Sequence, residues 1–142
     1  MRADDDGVSG HVYRLAADLR RASQVEMASE PWVAELRPLA NAVLMCIDRR
    51  GPKSQREISD IVGLGQSDLV AILDQLEDAG LIERERDPED RRRNVVVLTP
   101  DGRRTTHRLA GLAARAEASA LERLTEPERR QLARLLARAV GA

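Results

Sequence analysis

Phenylalanine is absent from the 142 residues, and Tyr13 and Trp32 are the only large aromatic side chains. Platforms on which single-stranded bases stack are therefore missing. Cysteine is almost missing too: Cys46 stands alone and cannot make an internal disulfide, which fits a compartment that keeps thiols reduced. No apolar run approaches the roughly 20 residues of a membrane span. The opening MRADDDGVSG is acidic and lacks the apolar centre of a secretory signal. These features predict a cytoplasmic chain with no membrane partner. Neither sign of charge prevails. A formal net charge of −1 argues against a protein that coats nucleic acid indiscriminately. Lysine is scarce as well, with Lys53 the only one among 23 basic residues. The rest are arginine, the side chain fitted to bidentate contacts with phosphate and guanine.

Chemistry-bearing constellations are also lacking. His107 has no cysteine, histidine or paired carboxylate at metal-ligand spacing. No phosphate loop, acid pair or serine–histidine arrangement is legible. The sequence predicts no enzyme, no catalytic residue, no cofactor and no metal.

What is present is periodicity. Val8, Val12, Leu15, Leu19 and Ala22 step by three and four, predicting a helix over 8–27 with a narrow apolar seam. Ser29, Pro31 and Trp32 interrupt it. A second helix is predicted from about Pro38 to Arg49, burying Leu39, Val43, Cys46 and Ile47. Ser54 and Glu57 form a capping box for a short helix that buries Ile58, Ile61 and Val62 and stops at Gly63. The next helix opens near Gln66, and Leu69, Ile72, Leu73 and Leu76 mark its buried face before Gly80 ends it. Two helices joined by a glycine-bearing turn are a helix-turn-helix. Leu81 to Glu85 and Asn94 to Leu98 read as strands of a hairpin whose tip carries Arg91, Arg92 and Arg93. Thr99-Pro100 opens a long helix to about Leu124, and Thr125 with Glu128 caps a last helix to about Val140.

The predicted fold is mainly α with a small β-hairpin wing (α+β), a winged helix-turn-helix flanked by dimerisation helices. Residues 1–7 are expected to be a disordered acidic tail, 8–35 a dimerisation helix and linker, 36–100 the DNA-binding domain, and 101–142 the C-terminal dimerisation helices. The terminal stripes exceed what so small a central domain can cover, so they should pair with a second copy. A two-fold dimer sets its two recognition helices roughly 34 Å apart, one turn of DNA, and predicts a near-palindromic double-stranded operator. Lys53, Arg56 and the wing supply attraction, while Gln66, Ser67 and Asp68 are placed to read bases, Asp68 by accepting from cytosine.

Several stretches resemble the multiple-antibiotic-resistance regulator (MarR) family of bacterial transcription factors. They are Leu36-x-Pro38 with Val43-Leu44, Ile58 to Gly63, Leu76-Glu77-x-x-Gly80-Leu81-Ile82-x-Arg84, the wing Asp87-Pro88-Glu89-Asp90-Arg91-Arg92, and Leu98-Thr99-Pro100-x-Gly102. The resemblance implies a dimeric DNA-binding regulator, usually a repressor, whose affinity is altered by a small phenolic or lipophilic effector or by cysteine oxidation. It also implies that Asp90 orients the guanidinium of Arg92 for a narrow minor groove, leaving Arg91 and Arg93 to phosphates. His11, Arg14 and Trp32 are the residues expected to line an effector pocket. At positions where relatives commonly carry threonine and a basic residue, the recognition helix has Val70 and Ala71, and it holds four acids with no base. Two alternatives stay open: a winged-helix dimerisation or adaptor protein without specific DNA binding, and a redox-sensing regulator acting through Cys46.

Overall fold

The computed structural model describes residues 7–37 and 39–142, so the expectations for residues 1–6 and for Pro38 as a helix start lie outside the described residues. Its elements are α1 (Gly7–Met27), α2 (Pro31–Ala34), α3 (Ala40–Arg50), α4 (Gln55–Val62), α5 (Gln66–Asp78), β1 (Ile82–Arg86), β2 (Asn94–Leu98), α6 (Pro100–Ala120) and α7 (Glu126–Ala139). Gly7, assigned to the tail by the sequence, is the first residue of α1. The chain divides into two units, Glu30–Leu112 and Met1–Ser29 with Ala113–Ala142.

The Glu30–Leu112 unit is the winged helix. Val43, Leu44, Ile58, Leu69, Leu73, Leu76, Ile82 and Leu109 are all but fully buried and form its core. Burying such a side chain contributes about 1.5–3 kcal/mol, so this is where the unit's stability resides. β1 and β2 pair antiparallel from Ile82–Leu98 to Arg86–Asn94. The hairpin gains a third, minimal strand at Lys53, whose backbone bridges Val96. Strand β1 starts one residue later than the alternation predicts, because the Leu81 N–H is spent on the helix stop: it donates to the Leu76 carbonyl at 3.0 Å while Gly80 N–H donates to Glu77 at 2.9 Å. With Gly80 at φ 73°, these are the paired bonds of a Schellman cap.

At this helix stop two glycines answer to geometry. Gly80 takes the left-handed backbone. Gly102 is required by contact, since a Cβ there would lie 1.9 Å from the Leu81 carbonyl oxygen. That approach exists because Thr99 docks the start of α6 on the helix stop, its N–H donating to Leu81 O at 3.1 Å and its hydroxyl to Gly80 O at 2.6 Å. The same hydroxyl accepts from Gly102 N–H at 2.9 Å, capping α6. The Leu98-Thr99-Pro100-x-Gly102 stretch is thus the joint that holds hairpin, recognition helix and α6 together.

The second unit is helical and thinly buried. Neither α1 nor α7 contains a buried residue, and Ala116 is the one core residue contributed by the end of α6. Arg115 donates to Glu26 at 2.9 Å, tying α6 to α1. The capping box of Thr125 and Glu128 is present, and its hydrogen bonds hold the Glu128 carboxyl below the usual carboxylate range. Helix α6 stops at Ala120 rather than near Leu124, because Leu121–Leu124 form the turn that delivers Thr125 to its cap. Three other expectations need correction. Leu39, expected in the core, precedes the first turn of α3 in a left-handed conformation (φ 67°) and is 50% exposed. Ile61 is 40% exposed instead of buried, since an eight-residue α4 has one short inner face, occupied by Ile58 and Ser59. Pro31–Ala34, read only as an interruption, is a helical turn with its proline in the first position.

Candidate nucleic-acid interface

The site begins at the capping box of α4. Ser54 Oγ accepts from Glu57 N–H at 3.2 Å, and Glu57 Oε1 accepts from Ser54 N–H at 3.1 Å. Gly63 in the left-handed region and the Ser59 hydroxyl, donating to Leu64 O at 2.5 Å, close the turn into α5. Helix α5 then opens with Gln66, Ser67 and Asp68 all exposed. Gln55 Nε2 donates to Gln66 Oε1 at 3.3 Å, so α4 sets the direction of the first α5 side chain.

Two polar clamps hold α5 in place. The Gln75 amide bonds the α2–α3 connection with both ends, donating to Glu35 O at 2.6 Å and accepting from Arg37 N–H at 2.7 Å. On the outer face Arg84 of β1 reaches Asp74 at 2.8 Å and Glu77 at 2.7 Å. The single positive charge of Arg84 is thus shared by two of the four acids of this helix. Neither clamp was legible in sequence. The first joins residues some 40 positions apart, the second crosses the helix stop from strand to helix, and Arg84 stood out only as part of the family-like stretch.

The wing loop is built by its own acids and backbone. Asp87 N–H donates to Arg93 O at 2.8 Å and Arg93 N–H to Asp90 O at 3.0 Å. Asp87 Oδ1 accepts from Glu89 N–H at 2.9 Å, and Arg86 donates to Arg91 O at 2.7 Å. Asp90 Oδ1 accepts from the backbone N–H of Arg92 at 3.1 Å, not from its guanidinium. The expected carboxylate–guanidinium pair is replaced by a local turn, because the residue two positions on offers a nearer donor in its own backbone. Arg93 also departs from expectation. Its guanidinium pairs with Glu57, the capping-box carboxylate of α4, and lies 3.4 Å from Asp87. It braces the wing against α4. Among the described residues Arg91 and Arg92 are left as exposed guanidiniums without a carboxylate partner.

The remaining sequence candidates separate. Arg56 is exposed near the start of α4. Lys53 is half-buried, and its ammonium donates to Arg50 O at 2.8 Å and Pro52 O at 3.3 Å, turned onto local carbonyls. Asp68 sits in the first turn of α5, where a carboxylate also complements the helix dipole. His11 lies in the helical unit, its Nδ1 2.8 Å from Gly7 O, beside an apolar groove of about 610 Å³ formed by α1 and α7. Arg14, in the same unit, borders a smaller depression with Asp18 and Arg123. Trp32 belongs to the winged unit. Its indole N–H donates to Glu30 at 2.7 Å, and Arg108, bound to Glu30 at 2.7 and 2.8 Å, lies 5.6 Å from its ring centre. Cys46 is buried, and burial pushes its thiol above the ordinary value against the pull of Arg50 and Lys53.

Among the described residues no group of three or more His, Cys, Asp or Glu is placed to hold a metal ion, and no helix is long and apolar enough to cross a membrane.

The model of the MarR family matches residues 39–93. The HTH-type transcriptional regulator YkoM of Bacillus subtilis is 31% identical over 102 residues, 72% of this chain and 66% of its own length. The chain spans between about a third and two thirds of the length of the curated relatives it matches. Among solved structures, the repressor CouR bound to a 23-mer DNA duplex superposes with a TM-score of 0.79 at 29% identity, covering 99% of this chain and 98% of that one. PcaV from Streptomyces coelicolor, in complex with its natural ligand, gives a TM-score of 0.69 at 29% identity over 100% of this chain and 99% of that one. The matched segment runs from the first turn of α3 to the last arginine of the wing, the stretch that builds the helix-turn-helix and its hairpin, and the chain belongs to the MarR family.

Proposed function

We propose that this chain is a homodimeric transcriptional regulator that binds a near-palindromic double-stranded operator and acts as a repressor released by a small phenolic or lipophilic molecule. The observation that carries the reading is the wing loop. Its own bonds engage the carboxylates of Asp87 and Asp90 and pair Arg93, and leave the exposed guanidiniums of Arg91 and Arg92 without a carboxylate partner among the described residues. The loop backbone that carries them is already ordered by its own hydrogen bonds, so meeting phosphates or a narrow minor groove costs side-chain entropy alone. Arg56, Gln66, Ser67 and Asp68 complete the surface, with Lys53 and Arg93 as structural supports whose charge adds to the local field. CouR, at 29% identity over nearly the whole chain, binds a DNA duplex as a repressor.

Dimerisation is supported by the bare face of the helical unit, where Val8 is 83% and Leu135 51% exposed. A groove of this kind beside His11 is the surface a second copy would cover, which moves His11 from an effector wall to the subunit interface. A ligand-bound relative such as PcaV supports an effector, with Arg14 and Trp32 as the residues to test. The family members compared are regulators, and we read this chain likewise as a cytoplasmic protein without catalytic activity. Burial of Cys46 weighs against redox sensing. The adaptor alternative rested on an acidic α5, and Arg84 offsets part of that charge on its C-terminal half. The test is a mobility shift against the promoter region of the chain's own operon at two salt concentrations. A specific shift that weakens with salt is expected, and no specific shift at low salt would favour the adaptor.

A further inference from the structure

We infer that the free surface of α5 selects a thymine through its 5-methyl group, and that Val70 is the side chain that reads it. The inference rests on the DNA-binding reading above and adds the chemical feature of the base that is recognised. Gln66, Val70, Asp74 and Glu77 follow one another along the outer face of α5 at helical spacing. Asp74 and Glu77 are occupied by Arg84 at 2.8 and 2.7 Å. The part of that line left to meet a partner is therefore its N-terminal half, Gln66 and Val70, with Ser67 beside them.

Val70 is 37% exposed, whereas Leu69, Ile72, Leu73 and Leu76 of the same helix are buried. It takes no part in the core. A β-branched side chain in a helix keeps essentially one rotamer, so its methyl groups present a fixed apolar surface. Base edges in the major groove offer a single apolar feature, the thymine methyl, absent from cytosine and uracil. One turn earlier, Gln66 carries an amide suited to adenine N6 and N7. Its oxygen accepts from Gln55 at 3.3 Å and keeps a second lone pair. Amide and methyl face both match A·T pairs.

The test uses the full chain. A high-affinity duplex is first selected from a randomised pool at low salt, and each thymine of the selected site is then replaced singly by deoxyuridine, which removes the methyl alone. At one thymine in each half-site the affinity should fall about fourfold, the effect of one buried methyl-sized group. Val70→Ala, a surface change that preserves helix propensity, should bind the thymine and uracil duplexes alike. If the selected site binds tightly yet tolerates uracil throughout, the inference is overturned while the DNA-binding reading stands. If Val70→Ala keeps the discrimination, the methyl is read by another residue and the assignment fails. If no sequence is enriched, both fall together.

Discussion

Replacing Gly102 with alanine tests the joint on which the interface is mounted. The new Cβ would lie 1.9 Å from Leu81 O and 2.9 Å from its carbonyl carbon. Ordinary contact starts at 3.4 Å, so backbone must separate from backbone by about 1.5 Å, and neither side can yield by rotating a side chain. Such a shift breaks both bonds from Thr99 to the helix stop, at 3.1 and 2.6 Å. Each contributes about 1 kcal/mol. The overpacking itself costs about 1–3 kcal/mol, and alanine returns about 1 kcal/mol of helix propensity. The expected net loss is about 2–4 kcal/mol. Urea unfolding followed by helical circular dichroism, at fixed protein concentration because a dimer's stability depends on it, measures the loss. Gly65→Ala is the control, for its Cβ would meet nothing closer than 3.9 Å, and an N-cap glycine is worth only about a few tenths of a kcal/mol to about 1 kcal/mol over alanine. Equal stabilities for the two variants would refute the contact argument.

The other expectations follow from the same geometry. Arg92→Ala should weaken operator binding by about 1–3 kcal/mol with the fold intact. Arg93→Ala should cost less affinity than Arg92→Ala but raise protease sensitivity of the wing, since Arg93 is spent on Glu57 and Asp87; fluorescence anisotropy and limited proteolysis check the pair, and the reverse ranking in affinity would show that the brace is a DNA contact. Leu135→Glu with Leu136→Glu should convert the dimer to monomer by light scattering without unfolding the winged unit, whose core contains neither residue. The thiol of Cys46, raised by burial, should react slowly with a thiol reagent at pH 8 and quickly once the chain is unfolded. Because its folded value lies above the unfolded one, its contribution to stability is complete below the unfolded value and is lost as pH rises through the folded value.

The sequence made the local devices legible and left the long-range ones hidden. Capping boxes at Ser54 and Thr125 and the Gly80 stop are set by residues within five positions of each other, and they stand in the structure as read. The hairpin was legible apart from the start of β1, where Leu81 was claimed by the helix cap. Partnerships across the chain escaped: Arg84 with α5, Gln75 with the α2–α3 connection, and Glu57 serving both its cap and Arg93. A charge in a sequence does not say which charge it will meet. For that reason Arg91, Arg92 and Arg93 looked equivalent on a line of text, whereas folding spends one of them and frees two. The helical unit was legible as amphipathic, and its stripes stay uncovered within the one chain, which is the ground on which a second copy is proposed as their partner.

The salt dependence of operator binding, measured for the wild type and for Arg91→Ala with Arg92→Ala, tests the central claim most directly. Counterion release gives a slope of about −0.9 per phosphate neutralised, so two arginines on each of two wings should make the variant's log–log slope shallower by about 3 to 4, with the dimer retained. An unchanged slope would contradict the account, because the free arginines of the wing would then not be meeting DNA.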